Sequence, residues 1–517
     1  MDNRASRSTR AGRRGPWALL LVLALTAVIA GCTPAGQQTT PAGDRHTLVV
    51  GATLEPASMD AFHNSAASIP QVLLYNVYET LVKVDSDGKL KPLLAQGWEV
   101  SPDRLTYTFH LNPAAKFASG AALDATAVKT GFEKLKADTK LTETLRAQAA
   151  IVASVEAPEA STVVFTLTRP SLMWLYDMSS TLGMVVDPTF TGDLATATAG
   201  SGPYTLQKLN KGTSVVLGKS PSYWGTPGRF DEVTFRYIAD PNAQNAAMLS
   251  GEIDVVSNLQ APESLAQFSD TSRFSVIRGT TNGEVVLGLN HQTKALQDLR
   301  VRQALTMAID RTALRDTVWN GEGTLIGSMA VPTDPWYTDL SGTNPYDPAR
   351  ARELLTDAGY AEGLTLRLRV PTTAYATKSA KFVASQLRDV GVTATIEELD
   401  FNRWLAEVFT PDDAGKSNYD MTIVAHVEAR DLGKFANPDY YWHYADPEFV
   451  RLFTEADESG TADQVAGMQS AVKFLADDAA AIWLFALPNL VITDAGITGI
   501  PQNATTLSFD LTTIASA

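Results

Sequence analysis

The chain has 517 residues, with 42 basic and 57 acidic side chains, a net charge of −15, 45% hydrophobic residues and one cysteine. The acid surplus excludes nucleic acid as a partner and charge-driven attachment to an anionic membrane, since both carry the same sign. A single thiol excludes an internal disulfide and a thiolate metal cluster, and the length calls for two or more lobes, because one core stops growing at about 250–300 residues.

The first organised stretch is Trp17–Cys32 (WALLLVLALTAVIAGC), apolar apart from Thr26 and preceded by Arg4, Arg7, Arg10, Arg13 and Arg14. A basic segment, an apolar run and small residues before a cut site make a secretory signal. The run is shorter than the ~20 apolar residues that span a bilayer core of ~30 Å. Its end, Ile29-Ala30-Gly31-Cys32, resembles a bacterial lipobox, in which the cysteine is diacylated and becomes the first mature residue. An ordinary signal cut near Ala30 and a membrane-spanning anchor are the alternatives. Cys32, as the sole cysteine, favours lipidation. Two acyl chains anchor firmly where one binds only marginally. Arg13-Arg14 leaves a twin-arginine export route open beside the general secretory one.

Without residues 1–31 the balance is 37 basic against 56 acidic side chains, or −19. Residues 32–46 then read as a flexible tether, polar and rich in Pro, Gly and Thr. At ~5–6 Å × √n it would hold the body roughly 20 Å from the lipid.

The body opens with a strand at Thr47–Ala52 and a turn at Pro56–Asp60. The spacing of Val72, Leu73, Val77 and Leu81 predicts a helix over Ile69–Val82. Leu105–Leu111 alternates with period two and predicts a half-buried strand, and Asp124 is a helix N-cap. Ile151–Glu156 and Thr162–Thr168 predict a strand pair. A second block follows: a tight turn at Gly200–Tyr204, a hairpin turn at Asn210–Gly212 before strand Ser214–Leu217, and a strand at Phe230–Ile238. The helix Asp240–Ser250 is closed by Gly251, and strand Glu252–Val256 completes a βαβ unit. The third block predicts a strand from Val285 and one helix over Asp298–Val318. A helix opened by Asp347-Pro348 follows, then strand Leu364–Val370, helix Lys378–Val390 and strands Val392–Leu399 and Tyr419–Val424. Asn489–Ile500 is strand again. Alternation of this kind predicts an α/β fold with a parallel-rich sheet covered on both faces.

Catalytic signatures are missing from the sequence. None of the six histidines sits in an HExxH pattern, and there is no GxSxG elbow. Gly212–Ser220 imitates a phosphate loop but has one residue too many between its glycines and a β-branched middle, which predicts strand. The pairs Glu397-Glu398, Asp412-Asp413 and Asp477-Asp478 read as solvated faces or caps. No metal site or cofactor is expected. An anchored extracellular hydrolase using an acidic pair, or a surface sensor, are the readings from other classes.

Several ordered motifs then point one way. Tyr78-Glu79-Thr80-Leu81-Val82, Asp85–Ala95 and Trp98–Ser101 come first, and Thr106–Leu111 with Lys116-Phe117 follows. Gly202-Pro203-Tyr204, Pro221–Gly225, Ser250–Asp254 and Leu299–Leu305 with Ala308–Arg311 continue the series. Together they resemble the family 5 extracellular solute-binding proteins, the peptide, nickel and oligosaccharide receptors of ABC importers, from about residue 48 to the C-terminus. The resemblance implies a two-lobed periplasmic-binding-protein-like fold of type II with an extra inserted subdomain and a ligand cleft between the lobes. Lobe I would comprise 47–80, 200–282 and 490–517, the insertion 81–199, and lobe II 283–489. It implies capture of an oligopeptide or dipeptide by hinge closure, with an oligosaccharide or metal chelate as alternatives, and delivery to ABC permease subunits by a monomer with no enzymatic activity.

The motif residues Trp98, Trp224, Arg300 and Arg302 would be architectural. Ligand contacts would come from His63, Asn64 and Ser65 after the first strand, Glu284 in lobe II, and the segment His426, Glu428, Arg430 and Asp431 after strand Tyr419–Val424. Trp336 is a further candidate for stacking on a ligand. Peptide-binding relatives place a carboxylate after this last strand to pair with a substrate's amino terminus. Their small-Trp-x-x-Asp pattern is absent here: His426 stands in place of the aromatic residue, and Glu428 or Asp431 must supply the charge.

Overall fold

The computed structural model describes residues 45–409 and 417–517. Cys32, most of the tether and the Asp412-Asp413 pair lie outside the described residues. Among the described residues no helix is long and apolar enough to cross a membrane.

A ten-stranded sheet organises the body. Across it the order is Val392–Leu399, Leu364–Pro371, Met421–His426, Phe274–Leu289, Ala481–Asp494, Val255–Val256, Thr47–Ala52, Glu232–Tyr237, Ser214–Lys219 and Tyr204–Asn210. Thr47–Ala52 lies parallel between Glu232–Tyr237 and Val255–Val256, and helix Pro241–Ser250 makes the crossover between those two. Parallel pairing recurs only around Leu364–Pro371. Every other pairing is antiparallel, so the expected parallel-rich sheet is a mixed one. The cause is local at one edge, where Lys211-Gly212 turns the chain straight back as a hairpin. In the middle it is topological, since two long strands run in opposite directions.

Those long strands, Phe274–Leu289 and Ala481–Asp494, carry the sheet from one half to the other. They pair from Phe274 opposite Asp494 to Thr280 opposite Pro488, lose register, and resume at Glu284 opposite Ala486. Asn282-Gly283 on one strand and Pro488 on the other sit at the break. Proline has no N–H for the ladder, and glycine weakens a strand.

Apolar packing divides on either side of these strands. One core gathers Leu48, Val50, Val233 and Phe235 and continues into Phe109, Phe165 and Trp174. Two more form around the second half, one including Leu287, Leu305 and Leu368, the other Val424, Trp442 and Trp483. A separate antiparallel sheet lies within 81–199, in the order Ala95–Val100, Thr106–Leu111, Thr162–Leu167, Val152–Glu159. Its inner face packs on Trp174, whose ring lies 4.7 Å from Tyr107 and 5.5 Å from Phe165.

Helix starts follow their caps. Asp124 accepts from the Ala127 amide, Asp240 from Ala243, and Asp347 from Ala349 and Arg350. Gly251 closes its helix at φ 76°, in the left-handed region that glycine enters freely. Two expected helices differ. Ile69–Val82 is helical only over Ser68–Leu73, because Tyr75 takes φ 65° and ends the run. Buried Asn76 then ties the chain to the carbonyls of Val72 and Phe509. The helix expected over Asp298–Val318 is two, Leu299–Met307 and Arg311–Val318, because Asp310 caps the second through the Ala313 amide. The expected strand Glu252–Val256 shrinks to Val255–Val256. Helices Phe401–Phe409, Pro447–Glu458 and Thr461–Asp477 had no counterpart in the sequence reading.

The scattered sequence motifs meet at one buried carboxylate. Glu79, 1% exposed, accepts from Ser201 Oγ at 2.8 Å, Tyr223 Oη at 2.8 Å and Trp224 Nε1 at 2.9 Å. Gly200 beside them has no room for a side chain, since a Cβ would lie 1.9 Å from the Val77 carbonyl oxygen. Burial outweighs the three donors and pushes the Glu79 pKa up to about 7. The folded protein therefore holds this proton more tightly than the unfolded chain. The contribution to stability is full below about pH 4.5 and is lost as pH rises through about 7. Glu79→Gln removes the titration. Urea unfolding at pH 5 and pH 8 should show the stability difference between wild type and variant shifting by about 2–3 kcal/mol in the variant's favour at the higher pH. A difference that does not change with pH would mean that Glu79 titrates as an exposed glutamate.

Candidate functional site

Strand Met421–His426 ends at the level of the ladder break, with His426 directly opposite Glu284. Four residues later Arg430 adopts φ 63°, and this left-handed turn sends the chain back into the short helical turn Asp431–Ala436. The reversal brings Asp431 Oδ2 to 3.2 Å from His426 Nδ1. His426 Nε2 lies 3.0 Å from Tyr441 Oη, so both imidazole nitrogens are engaged. The imidazole stacks on Tyr441, with planes 12° apart and centroids 5.8 Å apart. His426, Glu428 and Asp431 place ligating atoms within 4.8 Å of one another.

Glu284 is 2% exposed, and its Oε2 has no hydrogen-bond partner. Burial raises its pKa well above the usual glutamate range, and Asp334 and Asp431 push it further. Burial likewise raises Asp334, although Arg430 Nε lies 3.8 Å away and opposes it. Glu428 is half-buried. Its pKa is raised by burial and by Asp431. Asp177, from the inserted subdomain, lies near Asp457, Lys434 and Asp431. Burial and the nearby charge of Asp457 push it up to about 8, while Lys434 and a bond from Gln148 hold it down.

The segment also joins the inserted subdomain to the second half of the sheet. Arg430 donates to the Gly88 carbonyl at 3.0 Å, and its guanidinium lies 3.8 Å from the centre of the Tyr176 ring. Lys434 Nζ donates to Thr144 Oγ1 at 2.8 Å. Further along the seam, buried Asp457 accepts from Arg169, Ser171 Oγ and the amides of Leu172 and Met173, at 2.8–3.1 Å.

Of the residues singled out in the sequence, Glu284, His426, Glu428, Arg430 and Asp431 converge. His63, Asn64 and Ser65 do not join them by any hydrogen bond among the described residues. His63 bridges Asp60 and Asp138, each at 2.7 Å, on the rim of a separate cavity of about 230 Å³ lined by Phe62, Phe132 and Phe165. Burial lowers its pKa, but the two carboxylates outweigh that and leave it raised. Asn64 caps its own turn through the Ala66 amide. Trp336 is 1% exposed and belongs to the core around Trp442. The sequence reading missed Asp177, Asp334, Tyr176 and Lys434. Only Lys434 is near a motif, and for the others no local pattern signals a cleft position.

The family model for bacterial extracellular solute-binding proteins, family 5, matches residues 89–445. The chain belongs to that family. Among family 5 relatives, the glutathione-binding protein GsiB of Salmonella paratyphi A is 29% identical over 363 residues, 69% of each chain. The periplasmic binding protein DppA of Helicobacter pylori, solved with the peptide STSA, superposes with a TM-score of 0.81 at 21% identity, covering 91% of this chain and 98% of that one. The oligopeptide-binding protein AppA of Bacillus subtilis, solved with a nonapeptide, gives 0.79 at 19% identity, covering 91% and 99%. These likenesses place the fold among the two-lobed binding proteins of family 5.

Arg430 is the buried cation on which this constellation closes. Arg430→Ala removes the bond to Gly88, the stacking on Tyr176 and the countercharge of Asp334. Leaving that carboxylate unpaired should cost about 3 kcal/mol in denaturant unfolding, whereas a surface arginine such as Arg350 should cost well under 1 kcal/mol.

Proposed function

We propose that this chain is a lipid-anchored, monomeric receptor that captures an oligopeptide or dipeptide outside the cell and delivers it to ABC permease subunits, making and breaking no bond. The single observation that carries the peptide reading is the set of carboxylates after strand Met421–His426. A carboxylate there, in a walled cleft, is the natural partner of a peptide's amino terminus. The family assignment supports it, as do relatives named for glutathione binding and a fold shared with peptide-bound proteins.

Lobe I is assigned to 47–80, 200–282 and 490–517, the insertion to 81–199 and lobe II to 283–489. The ladder break at Thr280–Glu284 and Ala486–Pro488 falls close to both crossings and is the natural hinge. Closure brings the seam contacts of Asp457, Arg430 and Lys434 together over the ligand.

Calorimetry of the mature protein against a panel of di- to pentapeptides, glutathione, oligosaccharides and nickel–histidine should give peptide binding in the micromolar range or tighter. Small-angle scattering should show a smaller radius of gyration with the bound peptide. Binding confined to sugars or the metal chelate would overturn the peptide reading, and no compaction would overturn closure. Anchoring is tested separately. A Cys32→Ser form expressed in a bacterial host should leave the membrane fraction for the soluble one while still binding peptide, and retention on the membrane would argue for a spanning segment instead.

A further inference from the structure

The cleft holds more negative charge than a single amino terminus can answer. Four carboxylates gather around the turn after strand Met421–His426, where Glu284 from the long strand feels Asp334, Asp431 and Glu428, and a fifth, Asp177, feels Asp431 and Asp457 beside them. The charged groups that oppose them are Arg430 and Lys434, with His426 as a third if protonated. Both cations already have protein partners, Arg430 at Gly88 and Tyr176 and Lys434 at Thr144. An acidic cluster alone means little. Here it contains Glu284, 98% buried, whose Oε2 has no partner although it feels Asp334, Asp431 and Glu428. A buried carboxylate left open beside three others is a costly arrangement unless something positive completes it.

A metal ion is the poorer fit. His426 would have to give up its contact with Asp431 or with Tyr441 to free a nitrogen lone pair, and both ring nitrogens are engaged. An organic ammonium or guanidinium instead donates several hydrogen bonds to carboxylates and disturbs neither contact.

Building on the peptide-receptor reading, we propose that the solute carries two positive centres close together, the second completed by Glu284 beside the amino group held at Glu428 and Asp431. Peptides with a basic first residue meet this requirement, and so do short diamines. The selectivity follows from charge number rather than from chain length.

Calorimetry with three tripeptides tests it: lysyl-, norleucyl- and glutamyl-alanyl-alanine. The lysyl peptide should bind at least tenfold tighter than the norleucyl one, which has the same reach without the charge, and the glutamyl peptide should bind weakest. Glu284→Gln should bring the lysyl-to-norleucyl ratio to near one, with folding checked by circular dichroism and thermal unfolding. Glu428→Gln, at a half-buried position, should weaken all three peptides. Equal affinity for the lysyl and norleucyl peptides would overturn the dication inference and leave the receptor reading standing. Failure of every peptide would overturn the receptor reading itself. Nickel or zinc chloride binding tighter than any peptide, and lost in Glu428→Gln, would replace the organic cation with a metal.

Discussion

One antiparallel ladder with a break in it governs this molecule. Strands Phe274–Leu289 and Ala481–Asp494 are the only members of the ten-stranded sheet that pair with both of its halves. Each end of the ladder is buried in a different core, and a core packed at the density of a crystal does not deform. Relative movement must therefore concentrate where the ladder is weakest. That point is set by Asn282-Gly283 and Pro488, one strand losing stiffness and the other a donor. Glu284 is the first paired residue beyond the break, so the motion and the buried charge are adjacent in the chain.

The charge explains why closing would need a ligand. Bringing the inserted subdomain to the second lobe carries Asp177 toward Asp431 and Asp457, and like charges in a poorly solvated space repel strongly. Against that repulsion the seam offers Arg430 on Tyr176, Lys434 on Thr144 and four donors on Asp457. Protonation can relieve the strain, and the raised values of Asp177, Glu284, Asp334 and Glu428 all point that way. The proposed positively charged solute would relieve it more completely, because it would replace a shared proton with a partner for several oxygens at once. On that proposal a closed state would discriminate by ligand charge before it discriminated by shape.

Much of the architecture was legible in the sequence because it rests on local chemistry. Asp124, Asp240 and Asp347 announce their helices, and Gly251 ends one. Asp310 is the same signal, but the apolar stripe from Val301 to Ile309 reads straight through it. Tyr75 gives no warning, since tyrosine rarely takes a positive φ and only the tertiary fit of Asn76 with Val72 and Phe509 holds the chain there. The mixed sheet was misread for a related reason. Strand direction in its centre depends on which distant strands meet, and no periodicity carries that. The cleft divides in the same way. His426 to Asp431 could be found because the segment follows a recognisable strand, whereas Asp334 comes near Glu284, and Asp177 near Asp431, only through folding.

Arg430 ties the turn after strand Met421–His426 to the inserted subdomain. Its left-handed conformation is uncommon for a side chain of its size and has to be held by its surroundings. What holds it is the inserted subdomain: the Gly88 carbonyl and the Tyr176 ring fix the guanidinium, and Asp334 supplies the charge behind it. The same turn returns Asp431 to His426 and so shapes the corner proposed to hold an amino group. Under the proposed lobe assignment, Arg430 stands beside the proposed site and touches the insertion at Gly88 and Tyr176. If the lobes part as proposed, Arg430 loses its partners at Gly88 and Tyr176, and the turn that returns Asp431 to His426 loses the contacts that hold it. On that proposal ligand affinity and lobe closure would share one set of atoms, and no separate relay between them would be needed.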